Sequence, residues 1–173
     1  MKLNKIVLGL TMTFSLISMA NAADSGHGTV TFTGSVTEAP CSIDPENVDQ
    51  TIELGQVSAA ALSKGGKSSP QNFTIKLTNC DISEKKSVSA KFTGAEGGTQ
   101  GSLGITGTAK GASIGITDGS GNVIALNKDS AVQNMQAGNH DLTFAAYLQG
   151  DAVDGEVTPG DFKGVTNFTL AYQ

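Results

Sequence analysis

The chain has 173 residues, of which 38% are hydrophobic and 16% are charged. This composition provides enough apolar material for one globular core and too little charge for a disordered acidic chain. All 11 basic residues are lysines, set against 16 acidic residues. Because bidentate contacts to phosphate and guanine come mainly from arginine, the composition argues against nucleic acid as a partner.

The N-terminus has the pattern of a secretory signal peptide. Lys2 and Lys5 precede an apolar run that ends in the small-residue motif Ala20-Asn21-Ala22. The run is shorter than the roughly 20 residues that a membrane-spanning helix needs. We therefore expect residues 1–22 to be removed after Ala22 and the mature chain to be exported.

Export also bears on the two cysteines of the chain, Cys41 and Cys80. In an oxidising compartment an even pair most simply forms one disulfide. A metal site is the alternative, but tetrahedral zinc takes four ligands, and His27 and His140 are neither spaced nor paired to supply two of them. The sequence predicts a disulfide and no metal site.

Alternation of apolar and polar residues with period two dominates the exported chain, and no segment carries a sustained helical stripe. The predicted strands are residues 29–36, 50–57, 73–78, 87–93, 113–117, 122–126, 142–148 and 165–172. Turn-forming residues at 118–121 predict a tight hairpin, and residues 58–62 can form a helical turn. Short strands with turns between them predict an all-β sandwich in one domain.

Two motifs invite a catalytic interpretation that their context does not support. Residues 111–115 match the G-x-S-x-G string of hydrolases, but that serine requires a turn from a strand into a helix, and here a strand continues into a hairpin. His140 precedes Asp141, yet adjacent strand residues face opposite ways and cannot bond as a catalytic triad requires. We expect this pair to lie in a surface turn.

A third motif resembles the start of a calcium-binding loop. Asp118, Ser120 and Asn122 have the right spacing, but Val123 stands at the required glycine and Asp129 at the terminal glutamate. The hairpin interpretation is favoured.

The strands at the two ends of the mature chain are unusual. The first carries Val30, Phe32, Gly34 and Val36 on one face and hydroxyl residues on the other, and it precedes the first cysteine. The last ends at the chain terminus, so no later strand covers its edge. A strand from another chain could fill that edge.

Several of these elements occur together in one protein family. They are the signal peptide, residues 28–36, residues 39–43, residues 77–80, the end at residues 168–173 with penultimate Tyr172, and Gly160, fourteenth from the end. With them the chain resembles the chaperone-usher pilins, especially the major rod subunits of type 1 and P pili.

The resemblance implies a pilin fold: an incomplete immunoglobulin-like β-sandwich that lacks its last strand and is completed by donor-strand complementation. Residues 1–22 are then the signal peptide, residues 23–36 the N-terminal donor-strand extension and residues 37–173 the pilin domain. The implied donor face is Val30, Phe32, Gly34 and Val36. The implied C-terminal groove and chaperone-recognition residues are Gly160, Phe168, Leu170, Tyr172 and Gln173.

The function implied by the resemblance is structural. The chain would polymerise head-to-tail into the shaft of an adhesive surface fimbria, without catalysis or cofactor. Its implied partners are neighbouring subunits, a periplasmic chaperone and an outer-membrane usher. A minor or adaptor pilin shares these motifs and is one alternative. A subunit that itself binds a host receptor is the other, although family tip adhesins carry an additional receptor-binding domain.

Overall fold

The computed structural model describes residues 27–151 and 156–173. The chain divides between Val36 and Thr37 into two units. The expected signal peptide lies outside the described residues. In the part of the chain that is described, no helix is long and apolar enough to cross a membrane.

The second unit is built from short antiparallel strands. Its elements are β1 (Ser42–Ile43), α1 (Ala59–Leu62), β2 (Gln71–Cys80), β3 (Ser87–Thr93), β4 (Leu103–Gly104), β5 (Thr106–Gly107), β6 (Ala112–Asp118), β7 (Val123–Ile124), β8 (Gln133–Asn134), β9 (Gly138–Gly150), β10 (Phe162–Lys163) and β11 (Asn167–Tyr172). Single 3-10 turns lie at Pro45–Asn47 and Ser63–Gly65.

These strands form two main sheets. The first has the order β1-β2-β9-β6-β4, with β7 also paired to β6, and the second has the order β11-β3-β8. A separate small sheet joins β5 to β10. The prediction of an all-β fold is confirmed.

Three phenylalanines hold the two sheets face to face. Phe92 on β3 contacts Phe144 on β9 with ring centroids 5.2 Å apart, and contacts Phe73 on β2 at 6.1 Å. Phe73 and Phe144 lie 5.6 Å apart within the first sheet. Edge-to-face packing of this kind stabilises a core beyond the apolar area that it buries.

Most predicted strands are present, with shifted ends. Residues 73–78, 87–93, 113–117 and 142–148 all lie within strands. The segment predicted at 122–126 is reduced to β7, and the last strand begins at Asn167 rather than residue 165. The predicted helical turn is α1, which Ser58 caps.

The predicted strand at residues 50–57 is wrong. The Gln50 side-chain amide, rather than a strand backbone, donates to the Thr74 carbonyl on β2 at 2.9 Å. Gly55 then takes a φ of 72°, a left-handed conformation that interrupts an extended ladder. Alternation in this segment therefore reflects half-burial of an irregular stretch and not pairing.

The predicted hairpin between β6 and β7 is confirmed, and Asp118 stabilises it. Its carboxylate accepts hydrogen bonds from the backbone N–H groups of Ser120 and Asn122, both at 2.9 Å, and from the Asn122 side-chain amide at 3.0 Å. These bonds, led by that of the Asn122 amide, lower the pKa of Asp118.

Candidate functional site

The disulfide prediction is confirmed, since Cys41 and Cys80 are bonded. Each cysteine is 6% exposed. The bridge ties the chain just before β1 to the end of β2, where Asp81 N–H also donates to the Pro40 carbonyl at 2.9 Å. It contributes about 3–4 kcal/mol by the chain-entropy estimate.

Strand β11 is an edge strand of the second sheet. It pairs with β3 along its whole length, from Asn167 opposite Thr93 to Tyr172 opposite Val88. Among the described residues, no strand pairs with its other edge. The far edge of β3, in contrast, is covered by β8 and by a bridge at Asp129.

The C-terminal residue is anchored to the start of β3. The Gln173 carbonyl oxygen accepts from the N–H groups of Lys86 at 2.8 Å and Ser87 at 3.0 Å, and from the Ser87 hydroxyl at 3.3 Å. Gln173 N–H donates back to the Ser87 carbonyl at 2.9 Å. Gln173 and Ser87 are thus a hydrogen-bonded antiparallel pair.

This pair determines which backbone groups of β11 face the open edge. Hydrogen-bonded and non-bonded pairs alternate along an antiparallel ladder. Since Gln173 directs its N–H and C=O toward β3, the intervening residues Phe168, Leu170 and Tyr172 direct theirs away from β3. The open edge therefore offers the backbone donors and acceptors of these three residues.

The side chains of the same residues lie against the core. Phe168, Leu170 and Tyr172 are half-buried and pack on the core cluster, whereas the intervening Asn167 and Thr169 are exposed. Burial raises the pKa of the Tyr172 hydroxyl above its ordinary 10.0. The site thus combines incompletely covered apolar side chains with a free strand edge.

The N-terminal segment, residues 29–36, carries apolar side chains that are exposed in the subunit. The exposed fractions of Val30, Phe32 and Val36 are 74%, 89% and 103%, and no atom lies within 4 Å of a Cβ built on Gly34. The strand predicted at residues 29–36 is wrong for the single chain, because no hydrogen-bonded ladder forms there. Alternation gives a segment one apolar face, but a strand also needs a neighbouring edge.

Gly160 lies outside β11, in the turn before β10. A Cβ at this position would collide with the Thr108 hydroxyl and the backbone nitrogen of Ala109. Asp161 N–H donates to the same Thr108 hydroxyl at 2.9 Å. A residue without a side chain is required for this close approach.

The catalytic motifs are not assembled into a site. Ser113 is fully buried within β6, far from any strand-to-helix turn. The expected surface turn at His140 is wrong, because His140 and Asp141 lie in β9 opposite Leu77 and Lys76. No group of three or more metal-ligating side chains occurs in residues 27–151 and 156–173.

A family model described as "Fimbrial protein" matches residues 30–173. The chain belongs to the fimbrial protein family. It is 55% identical over 174 residues to the Fimbria A protein of Serratia marcescens, covering 100% of both chains. It is 51% identical over 176 residues to the Major MR/P fimbria protein of Proteus mirabilis (strain HI4320), also covering 100% of both.

Solved structures support the same assignment of this fimbrial subunit. A subunit of a chaperone-usher pilus, studied for rod uncoiling, superposes with a TM-score of 0.75 at 35% identity, covering 86% of this chain and 97% of that one. The P pilus rod subunit PapA gives a TM-score of 0.68 at 34% identity, covering 78% and 100%. The fold is the immunoglobulin-like fold of chaperone-usher pilins, and the subunit is a structural component of the pilus shaft, exported to the cell surface.

The sequence did not reveal the polar residues that hold β11 in place. Lys86 and Ser87 bond the terminal carbonyl, and the Thr93 hydroxyl donates to the Asn167 carbonyl at 3.4 Å. Ser87 and Thr93 stand at the two ends of β3. Hydroxyl residues at these two positions are the feature of the sequence that could have indicated this role. Their partners follow only from the register of β3 and β11.

Proposed function

We propose that residues 29–36 of one subunit insert beside β11 of the next and complete its second sheet. The observation that carries this proposal is the open edge of β11, where Phe168, Leu170 and Tyr172 combine free backbone groups with half-buried side chains. Such an edge recruits an extended segment by strand addition. The exposed N-terminal segment of this chain has a matching apolar face.

Burial of that face is the main driving force. Val30, Phe32 and Val36 are largely exposed in the subunit, and each contributes about 1.5–3 kcal/mol when its side chain is removed from water. Each backbone hydrogen bond to β11 adds about 0.5–1.5 kcal/mol net. Gly34 lets the donor backbone approach the groove where a side chain would not fit.

The geometry of this exchange produces a fibre. Each subunit would offer a donor segment and an acceptor edge that are different surfaces, so the contact is head-to-tail and propagates without closing. The subunit would contribute to cell adhesion as part of the shaft of the organelle. The subunit itself would have no catalytic role. Identity of 34–35% to rod subunits favours the shaft over an adaptor position.

Before assembly, the open edge of β11 must be covered, because an unpaired edge promotes aggregation. We propose a periplasmic chaperone as the temporary partner and an outer-membrane usher as the site of exchange. The C-terminal strand with Tyr172 and Gln173 is the proposed contact with the chaperone. Gly160 positions the chain that leads into this strand.

The test compares the two faces of the donor segment. Phe32→Asp and Val30→Asp would bury a carboxylate without a cation, at a cost of several kcal/mol. Both variants should fold and bind chaperone, since the acceptor edge is unchanged, yet give short or absent fibres in electron micrographs. Thr31→Asp is the matched variant: it places the charge on the outward face, where the carboxylate stays in water, and should impair fibre assembly much less.

Normal fibres from Phe32→Asp, with defective fibres from Thr31→Asp, would show that the assigned donor face is wrong.

A further inference from the structure

Hydroxyl side chains reinforce the seam between β3 and β11 at both ends. The Thr93 hydroxyl donates to the Asn167 carbonyl at 3.4 Å, and the Ser87 hydroxyl donates to the Gln173 carbonyl at 3.3 Å. The Thr166 hydroxyl donates to the Thr93 carbonyl at 3.0 Å. At this seam, hydroxyl groups connect one strand to the backbone of the next.

The outward face of β11 continues this polar surface to the open edge. Asn167, Thr169 and Ala171 are exposed and uncharged. Lys91 stands opposite Thr169, but its ammonium lies 3.3 Å from the Asp129 carboxylate, on the other side of β3. The strip beside the open edge therefore carries polar groups without charge.

The N-terminal segment has a hydroxyl face of the same kind. This face consists of Thr29, Thr31, Thr33 and Ser35, all exposed. In a strand, these residues point away from the apolar face. If the apolar face lies against the core beside β11, the hydroxyl face must lie on the outer side, next to Asn167 and Thr169.

Within the apolar face, a slip of the donor by two residues is opposed only by differences in side-chain size, above all at Gly34. A slip of one residue would turn the apolar side chains to solvent, but a slip of two residues keeps every side chain on its original face. The outward strip of β11 distinguishes such slips, because Asn167 and Thr169 can pair with a hydroxyl residue and Ala171 cannot form a hydrogen bond through its side chain.

We propose that the hydroxyl face of residues 29–35 of a second copy pairs with Asn167 and Thr169, and that these pairs, together with Gly34 on the apolar face, fix the donor register. This inference rests on the donor-strand function proposed above and names a recognition element of the same site. Cross-strand pairs of threonine with threonine or another polar residue stabilise sheets. The acceptor therefore selects a donor by both of its faces.

The test uses the fact that every subunit in a homopolymer both donates and accepts. Thr29→Val, Thr31→Val and Thr33→Val each remove a hydroxyl and keep the branched shape, and each is combined with Thr169→Val or Asn167→Ala in the same chain. The rate at which heated fibres dissociate in detergent is measured for every single and double variant. Thr143→Val, at an exposed threonine on β9, is the control.

One donor threonine should couple to Thr169. Each of these two single variants should dissociate about two to five times faster than wild type, and their double variant should be no faster than either. The donor residue that couples to Asn167 should lie two positions away from the first. Thr143→Val fibres should dissociate at the wild-type rate.

Wild-type dissociation rates in all donor variants, or purely additive effects with Thr169→Val, would overturn this inference. Failure of the inference alone is recognised if Phe32→Asp still abolishes fibres. If Phe32→Asp fibres are also normal, the donor-strand proposal fails with it.

Discussion

At the scale of single residues, Gly160 and Gly34 have opposite surroundings. A Cβ on Gly160 would collide with Thr108 and the Ala109 backbone, whereas nothing lies within 4 Å of one on Gly34. We expect Gly160→Ala to lower the free energy of unfolding of the mature chain by about 1–3 kcal/mol. Gly34→Ala should leave the urea midpoint unchanged; equal losses in both variants would contradict this account.

Asp118 gives the hairpin a pH-dependent contribution. Its folded pKa lies below the ordinary 3.8, chiefly because the Asn122 amide bonds the carboxylate. A lowered folded pKa contributes stability that is complete above the unfolded pKa and is lost as pH falls through the folded value. Asp118→Ala should therefore cost about 1–2 kcal/mol at pH 7, and the difference from wild type should shrink as pH falls below the ordinary value of 3.8.

The control for this prediction is the surface ion pair of Lys91 and Asp129, whose side chains are 38% and 57% exposed. Asp129→Ala should cost at most about 0.5 kcal/mol at pH 7. Thermal unfolding of both variants from pH 7 down to about pH 2 checks the comparison. A larger loss in Asp129→Ala than in Asp118→Ala would contradict the assigned role of Asp118.

Alternation predicted at this scale which side chains of β11 face the core, because side-chain direction is a local property of a strand. It could not predict which backbone groups are free. That assignment depends on the pairing of Gln173 with Ser87, a contact between residues far apart in the chain.

At the scale of elements, β11 contributes one edge of the second sheet. Deletion of residues 168–173 removes the strand partners of Val88, Ala90 and Phe92 on β3. We expect the truncated chain to be absent from the periplasm and not to co-purify with chaperone. Deletion of residues 27–36 is the control and should retain the fold and chaperone binding while giving no fibres. Normal levels of the chaperone-bound 168–173 deletion would contradict the assignment.

The disulfide is a second test at this scale. Replacing both Cys41 and Cys80 by serine should lower the free energy of unfolding by about 3–4 kcal/mol, measured by urea denaturation. Mass spectrometry of assembled wild-type fibres should find no free thiol. Two free thiols in normal fibres would mean that the bridge is dispensable for assembly.

Two elements show the limits of alternation. Residues 50–57 alternate without pairing, and Gly55 takes a left-handed backbone conformation that interrupts an extended ladder. Apolar and polar residues also alternate in the segment 29–36, but the strand that we propose as its neighbour belongs to another chain. Alternation in a sequence shows which face of a segment is apolar. Whether the segment forms a strand depends on a neighbouring strand with a free edge, which the alternation does not identify.

At the scale of the whole molecule, the all-β class followed from period-two alternation, and family motifs at both ends implied an incomplete sandwich. The strand order β1-β2-β9-β6-β4 could not be derived in this way, since it depends on pairings between residues far apart in the chain, such as Ile75 on β2 with Leu142 on β9. The half-buried face of β11 was predictable, because the direction of side chains along a strand is a local property.

In the fibre, we expect residues 29–36 of the neighbouring subunit to complete the open edge of β11. A cryo-electron microscopy map of fibres assembled from this chain would show whether they do. We expect the map to show an added strand bonded to Phe168, Leu170 and Tyr172, with Val30 and Phe32 directed into the core and continuous density leading to the next subunit. A fibre map in which the edge of β11 is unpaired, or is covered by the subunit's own residues, would contradict the account.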